Sequence, residues 1–241
     1  STRKNVADAA CLRAAALILA LARQIDAAGQ ARGRAARSGG SGKAGLALAG
    51  SASSCVSGPK TPQVLVESAQ ATIFFIVNML LESLLMALAD ALRARRWMLA
   101  TAESCTGGLI AGACTEMAGS SEWFERGFVT YSNAAKSELL GVPASLIARH
   151  GAVSEPVARA MAAGALAHSH AQVSVAVTGI AGPGGGSLEK PVGTVWLGWQ
   201  VKDAGFAQRC HFSGDRHAVR AATVTHALQG VLDRLRQEPS S

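Results

Sequence analysis

From residue 97 onward, apolar runs of strand length alternate with longer segments patterned at helical spacing, and that alternation confines the chain to an α/β architecture. WMLATAE reads as a short apolar strand, followed by a helix from about 105 to 118. GFVTYS (127–132) is predicted as a strand leading into NAAKSELLG, a helix stopped by Gly141. Ser154 and Pro156 open a further helix through about His168. QVSVAVTG (172–179) reads as a buried strand ending in a glycine loop, and GTVWLGWQV with FAQRCHF as an antiparallel pair. A long helix after Gly214 carries Val219, Ala222, Val224, Leu228, Val231 and Leu235. The expected fold is a single three-layer α/β/α domain with a mixed sheet over residues 79–237.

The preceding residues are of a different kind. Residues 1–75 are expected to form a low-complexity extension, disordered or loosely structured, because Ala, Gly, Ser and Arg bury too little surface to offset chain entropy. One short apolar helix near 11–28 is an exception. A transit-type peptide, a basic tail and an upstream extension from a start read too early all fit; Met79 or Met86 as the real beginning is favoured. Residues 71–89 are apolar enough to raise a membrane span, but Asn78, Glu82 and Ser83 interrupt them. Leu81, Leu84, Leu85, Leu88 and Leu92 recur at helical spacing, which predicts a packed first helix and no membrane partner.

The net charge of +7 has the same boundary. Residues 1–60 carry nine Lys/Arg against Asp8 and Asp26, whereas residues 61–241 carry fourteen of each sign. The body of the chain is therefore neutral, lacks a basic stripe with interleaved aromatics, and is not expected to bind nucleic acid. Cys11, Cys55, Cys105, Cys114 and Cys210 form no CxxC pair and no metal spacing, which fits free thiols in a reducing, cytoplasmic setting. His168 and His170 share a strand-like spacing without partners and are not read as metal ligands.

Ligands of open α/β sheets sit beyond the carboxyl ends of the strands, and three such ends carry ESCTGG, TYSNAAK and TGIAGPGGG. Ser104 would lie at a helix start, where free amides favour an alkoxide and an oxyanion. A serine needs a base, and Lys136, once partly desolvated, can serve, with Tyr131 relaying a proton or orienting it. The same residues also suit an N-cap, a solvated helix face and a wet strand end, so the residues alone leave both roles open. Cys105, adjoining Ser104, is a second possible nucleophile. The 178–186 loop could cradle a phosphate or carboxylate through Gly179 and Gly182, though it is no Walker loop. Arg216 and Arg220 stand four apart at a helix start, a spacing that suits anion binding and a salt-bridged face equally.

TAESCTGGLIAG, GSSEWFERGFVTYSNAAKSELLGV, HGAVSEPVARAMAAGAL, TGIAGPGGGSLEKPVGTVW and FSGDRHAVR together resemble the bacterial CinA C-terminal domain family, over roughly residues 79–236. Within it they look most like the stand-alone nicotinamide-nucleotide amidohydrolases. The resemblance implies deamidation of nicotinamide mononucleotide to nicotinic acid mononucleotide and ammonia, with no cofactor, by a domain that self-associates. It further implies that Ser104 is the nucleophile and that Tyr131 and Lys136 are its partners. Thr106, Gly107, Thr178, Gly179, Gly182 and Arg216 are the residues expected around the substrate, with Arg216 near its phosphate. The larger N-terminal domain of longer relatives is not in this sequence. A non-catalytic competence or DNA-damage accessory and a nucleotide-binding regulatory module are the alternatives. The neutral charge of the body speaks against the first, and the presence of Ser104, Tyr131 and Lys136 against the second.

Overall fold

A computed structural model of the chain describes residues 62–238. The expectations for residues 1–61, including the helix near 11–28, Cys11 and Cys55, lie outside the described residues. The described residues divide into two units after Asn78. Of the first, Pro62–Asn78 is helical, the start of a helix α1 that runs Pro62–Arg95. The fold that follows is that of the second unit, from Met79 onward.

Its centre is two strands buried on both faces. β1 (Leu99–Glu103) is buried at all five positions and β3 (Val173–Gly179) at its first six, the pattern of strands covered on either side by helices. β2 (Phe124–Val129) pairs parallel with β1, and β1 pairs parallel with β3. β4 (Thr194–Val201) runs antiparallel to β3, and β5 (Ala204–His211) antiparallel to β4, giving a five-stranded mixed sheet in the order β2-β1-β3-β4-β5. Five further helices complete the unit: α2 (Leu109–Thr115), α3 (Asn133–Leu140), α4 (Ala144–His150), α5 (Glu155–Ala167) and α6 (Arg216–Gln237).

Alternation along the strands decides which helices cover which face. Val173, Val175 and Val177 join Leu99, Leu197 and Trp199 in a core shared with Leu84, Leu88 and Leu92 of α1, Ile110 of α2, and Leu228 and Val231 of α6. The intervening Ala176, with Ala102 of β1, meets Leu140 of α3, Ile147 of α4, and Val157 and Met161 of α5 on the opposite face. The result is the expected three-layer α/β/α domain with a mixed sheet. By length and composition Phe75–Arg95 could cross a membrane. In the second unit, however, Leu84, Leu85, Leu88, Ala89 and Leu92 of this helix are buried in the core.

The bounds of one strand and the start of one helix move, each for a local reason, and one expected cap is made differently. β2 begins at Phe124 and ends at Val129, because pairing with β1 spans those residues; Ser132 beyond them accepts from the Ala135 amide as the N-cap of α3. α5 begins at Glu155, but the Ser154 hydroxyl donates to the Gly151 carbonyl rather than capping it. The helix expected from 105 starts only at Leu109, after a turn through Gly107 (φ +60°) and Gly108 (φ +97°). That last shift changes the surroundings of Ser104.

Candidate active site

The parallel strands β1, β2 and β3 direct their carboxyl ends to the same edge of the sheet, and a cleft of about 210 Å³ opens there. It is lined from the β1 end by Ser104 and Cys105, from the β2 end by Tyr131, Asn133 and Lys136, and from the β3 end by Thr178, Gly179 and Ala181. Ala152 and Val153 from the loop before α5 and Arg216 from the start of α6 complete it.

At its base Lys136 reaches Ser104. α3 is short and rigidly ended, capped by Ser132 and closed by Gly141 in the left-handed conformation, and it turns Lys136 inward to 1% exposure. The Lys136 Nζ lies 3.1 Å from Ser104 Oγ, 2.9 Å from the Thr130 carbonyl, 3.2 Å from the Tyr131 carbonyl and 3.5 Å from the Ser132 carbonyl. It forms no ion pair with a carboxylate among the described residues. Burial without a counter-charge holds this amine below the ordinary lysine range. A neutral amine has two N–H donors and one lone pair. The two nearer carbonyls match the donors, which leaves the lone pair for the Ser104 hydroxyl.

Ser104 is not a helix cap. Its amide donates to the Val177 carbonyl at 3.1 Å, and its hydroxyl has Lys136 as its partner. Capping of α2 falls to Glu103, a fully buried carboxylate that the sequence reading passed over. Glu103 accepts from the amides of Gly108 (3.0 Å), Ile110 (3.0 Å) and Ala111 (2.8 Å), and from the hydroxyls of Thr106 (2.7 Å) and Thr101 (3.3 Å). The helix-start amides expected to serve Ser104 are thus occupied by an internal anion. Spacing does not announce it: Ser104 and Thr106, of the ordinary capping types, both stand between Glu103 and Leu109, while the N-cap position itself is Gly108.

The other expected residues separate into two groups. Ser104, Tyr131, Lys136, Thr178, Gly179 and Arg216 line the cleft, whereas Thr106, Gly107 and Gly182 are not on its lining. The Thr106 hydroxyl is held by Glu103, and its carbonyl accepts from Arg220 Nη2 at 2.8 Å. Gly182 offers its carbonyl to Arg216 Nη1 at 2.9 Å, so this guanidinium is anchored at the rim of the cleft. The two arginines four apart therefore serve different loops. Thr178 donates to the Ala152 carbonyl at 2.9 Å. A side chain at Gly179 would collide with Val195 and the Thr194 carbonyl, so β3 can pair with β4 there only as glycine. The Tyr131 ring is 64% exposed, and its phenol hydrogen-bonds neither Ser104 nor Lys136; the residue reaches Lys136 through its carbonyl. Burial pushes the Cys105 thiol up to about 11, against the thiolate a nucleophile requires. Among the described residues Cys105, Cys114 and Cys210 are free thiols. His168 Nδ1 lies 2.8 Å from the Gly164 carbonyl. Asn133, Ala152, Val153 and Ala181 were missed, although all fall inside the motif segments TYSNAAK, HGAVSEP and TGIAGP.

Arg216 is a guanidinium of the lining, Lys136 is an amine whose charge burial disfavours, and no carboxylate joins them, so the cleft favours a ligand that carries negative charge at the Arg216 end. Known proteins resemble the chain over this domain. A nicotinamide-nucleotide amidohydrolase of Enterobacter agglomerans, PncC, is 58% identical over 143 residues, which are 59% of this chain and 87% of its own. The protein of the same name from Escherichia coli strain K12 is 55% identical over 141 residues, covering 58% of this chain and 86% of its own. Among solved structures, the competence/damage inducible protein CihA of Agrobacterium tumefaciens superposes with a TM-score of 0.63 at 48% identity, over 65% of this chain and 96% of that one. The model of the CinA C-terminal domain matches residues 81–235, which include the whole sheet and every residue that lines the cleft, and the chain belongs to that family.

Proposed function

We propose that this chain hydrolyses the carboxamide of a nicotinamide nucleotide, nicotinamide mononucleotide first among them, releasing ammonia and the nicotinic acid nucleotide. The observation that carries the chemistry is the buried Lys136 amine, unpaired by any carboxylate among the described residues and 3.1 Å from the Ser104 hydroxyl at the floor of the cleft. The names of the PncC relatives supply the substrate.

In this reading neutral Lys136 takes the Ser104 proton as Oγ bonds to the carboxamide carbon and the C=O pair moves onto oxygen. Collapse of the tetrahedral adduct breaks the C–N bond, and the proton on Lys136 passes to the departing nitrogen, which leaves as ammonia. Water then attacks the Ser104 ester with Lys136 again as base. Ser104 departs and is reprotonated, and the acid product ionises. Tyr131 assists by holding Lys136 with its carbonyl, while its exposed ring and Asn133 stand at the mouth for the substrate's ring. Arg216 meets the phosphate at the rim. A cytoplasmic setting and self-association belong to the same reading.

Ammonia release from nicotinamide mononucleotide by the wild-type chain and by Ser104→Ala tests it. Turnover by the first and its loss, by at least about 10³-fold, in a folded variant is the expected result. Substantial release by Ser104→Ala would remove the covalent mechanism.

A further inference from the structure

We propose that Arg220 is a positioning residue for the acyl-transfer step: it fixes the 104–108 loop so that the loop's own amides, not the start of α2, receive the oxyanion. The inference rests on the serine mechanism proposed above and assigns a residue outside the cleft lining.

The assignment follows from where each amide near Ser104 is spent. The Ser104 N–H goes to Val177, and those of Gly108, Ile110 and Ala111 go to Glu103. The amides of Thr106 and Gly107 have no acceptor among the described residues, and that of Cys105 has only its own thiol. Although Thr106 and Gly107 lie off the cleft lining, these three are the amides next to Ser104 in sequence that remain for a negative oxygen developing beside it. A loop through two positive-φ glycines does not hold three such amides in place unaided. Thr106 is gripped at both of its polar groups, its hydroxyl by Glu103 at 2.7 Å and its carbonyl by Arg220 at 2.8 Å. The second grip fixes the plane of the Thr106–Gly107 peptide. A charged donor on that carbonyl also polarises the peptide and strengthens its N–H as a donor. Arg220 forms no ion pair with a carboxylate among the described residues, and its Nη2 would stand 3.7 Å from a side chain begun at Gly107. Its charge is therefore directed at the loop without a neutralising partner.

The test compares the full-length wild-type chain with Arg220→Met, using two reactions and a thermal melt. One reaction is steady-state ammonia release from nicotinamide mononucleotide. The other is acylation of Ser104 by p-nitrophenyl acetate, in which the serine oxygen bonds to the acetyl carbon, the aryl ester bond breaks and nitrophenolate departs. Mass spectrometry locates the acetyl group. Removing a direct oxyanion donor costs about 10²–10³ in rate, so an indirect one is expected to cost about 10- to 100-fold in kcat and in the acylation rate, with KM within about threefold. A folded variant with both rates within about twofold of wild type overturns the inference. So does a raised KM with unchanged kcat, which would make Arg220 a ground-state binding group. Should Arg220→Met not fold, Arg220→Gln keeps a polar side chain at this part-buried position and reads the same split. Acylation of the wild type without ammonia release would overturn the substrate reading alone and leave Arg220 readable on the ester. Absence of both reactions would overturn the serine mechanism and this inference with it.

Discussion

At Lys136 the fold places an ammonium-forming group where an ammonium is poorly solvated, and the consequences can be read by pH. Burial lowers its pKa from the ordinary 10.5, and only the neutral amine can accept the Ser104 proton. The kcat/KM for nicotinamide mononucleotide is therefore expected to rise with pH and to level off at an inflection below 10.5. Stability carries the same sign. Between the lowered folded value and the ordinary one the unfolded chain binds the extra proton, so stability rises with pH across that window. Lys136→Met removes both effects: turnover is lost, and the melting midpoint of the wild type gains on that of the variant as pH rises toward 10.5. A difference that stays flat with pH would mean that Lys136 titrates alike in the folded and unfolded chain. Neighbouring Cys105 shows the opposite tuning, since the same burial that frees a lysine for base chemistry disables a thiol as nucleophile.

At the scale of elements, the position of that lysine depends on how closely α3 and α5 approach. Gly164 of α5 meets the last residue of α3, and a Cβ there would stand 2.0 Å from the Leu140 carbonyl oxygen. Alanine gains about 1 kcal/mol of helix propensity over glycine, yet an overlap with main chain is relieved only by moving α3, at a typical overpacking cost of about 1–3 kcal/mol. Gly164→Ala is expected to lower the melting midpoint, and to lower kcat more than it raises KM, because α3 carries Lys136 away from Ser104. A midpoint unchanged or raised, with kcat intact, would show that the two helices separate without cost. Such packing explains what could be read from sequence. Periodicity gives the strands, the helices and their layers, and the three strand-end motifs bring Ser104, Lys136 and Thr178 to one edge of the sheet. What escapes is the use of polar groups across the chain. Glu103 caps a helix five residues away, Thr106 and Gly182 spend their polar groups on Glu103 and Arg216, and Tyr131 serves Lys136 by its carbonyl. None of these follows from spacing, because each depends on a loop path that only the tertiary contacts fix.

For the whole molecule, the division after Asn78 and the division of charge fall close together, and one truncation tests both. A chain beginning at Met79 keeps Leu84, Leu85, Leu88 and Leu92, the leucines by which α1 enters the core, and every residue that lines the cleft. It sheds nine Lys/Arg with Asp8, Asp26 and Glu67, six of the seven net positive charges of the full sequence, and leaves 14 Lys/Arg against 13 acids. Two results are expected of it. Ammonia release from nicotinamide mononucleotide should match the full chain within about twofold, since no group that the mechanism uses has been removed. Any retention on duplex DNA that weakens as salt rises should belong to the full chain alone, because such binding scales with the number of phosphates neutralised and the remaining domain carries an excess of one positive charge. Loss of turnover in a truncated chain that still melts cooperatively would give residues 1–78 a part in the reaction. Salt-sensitive DNA binding by the truncated chain would instead reveal a basic surface within a domain that is neutral on balance.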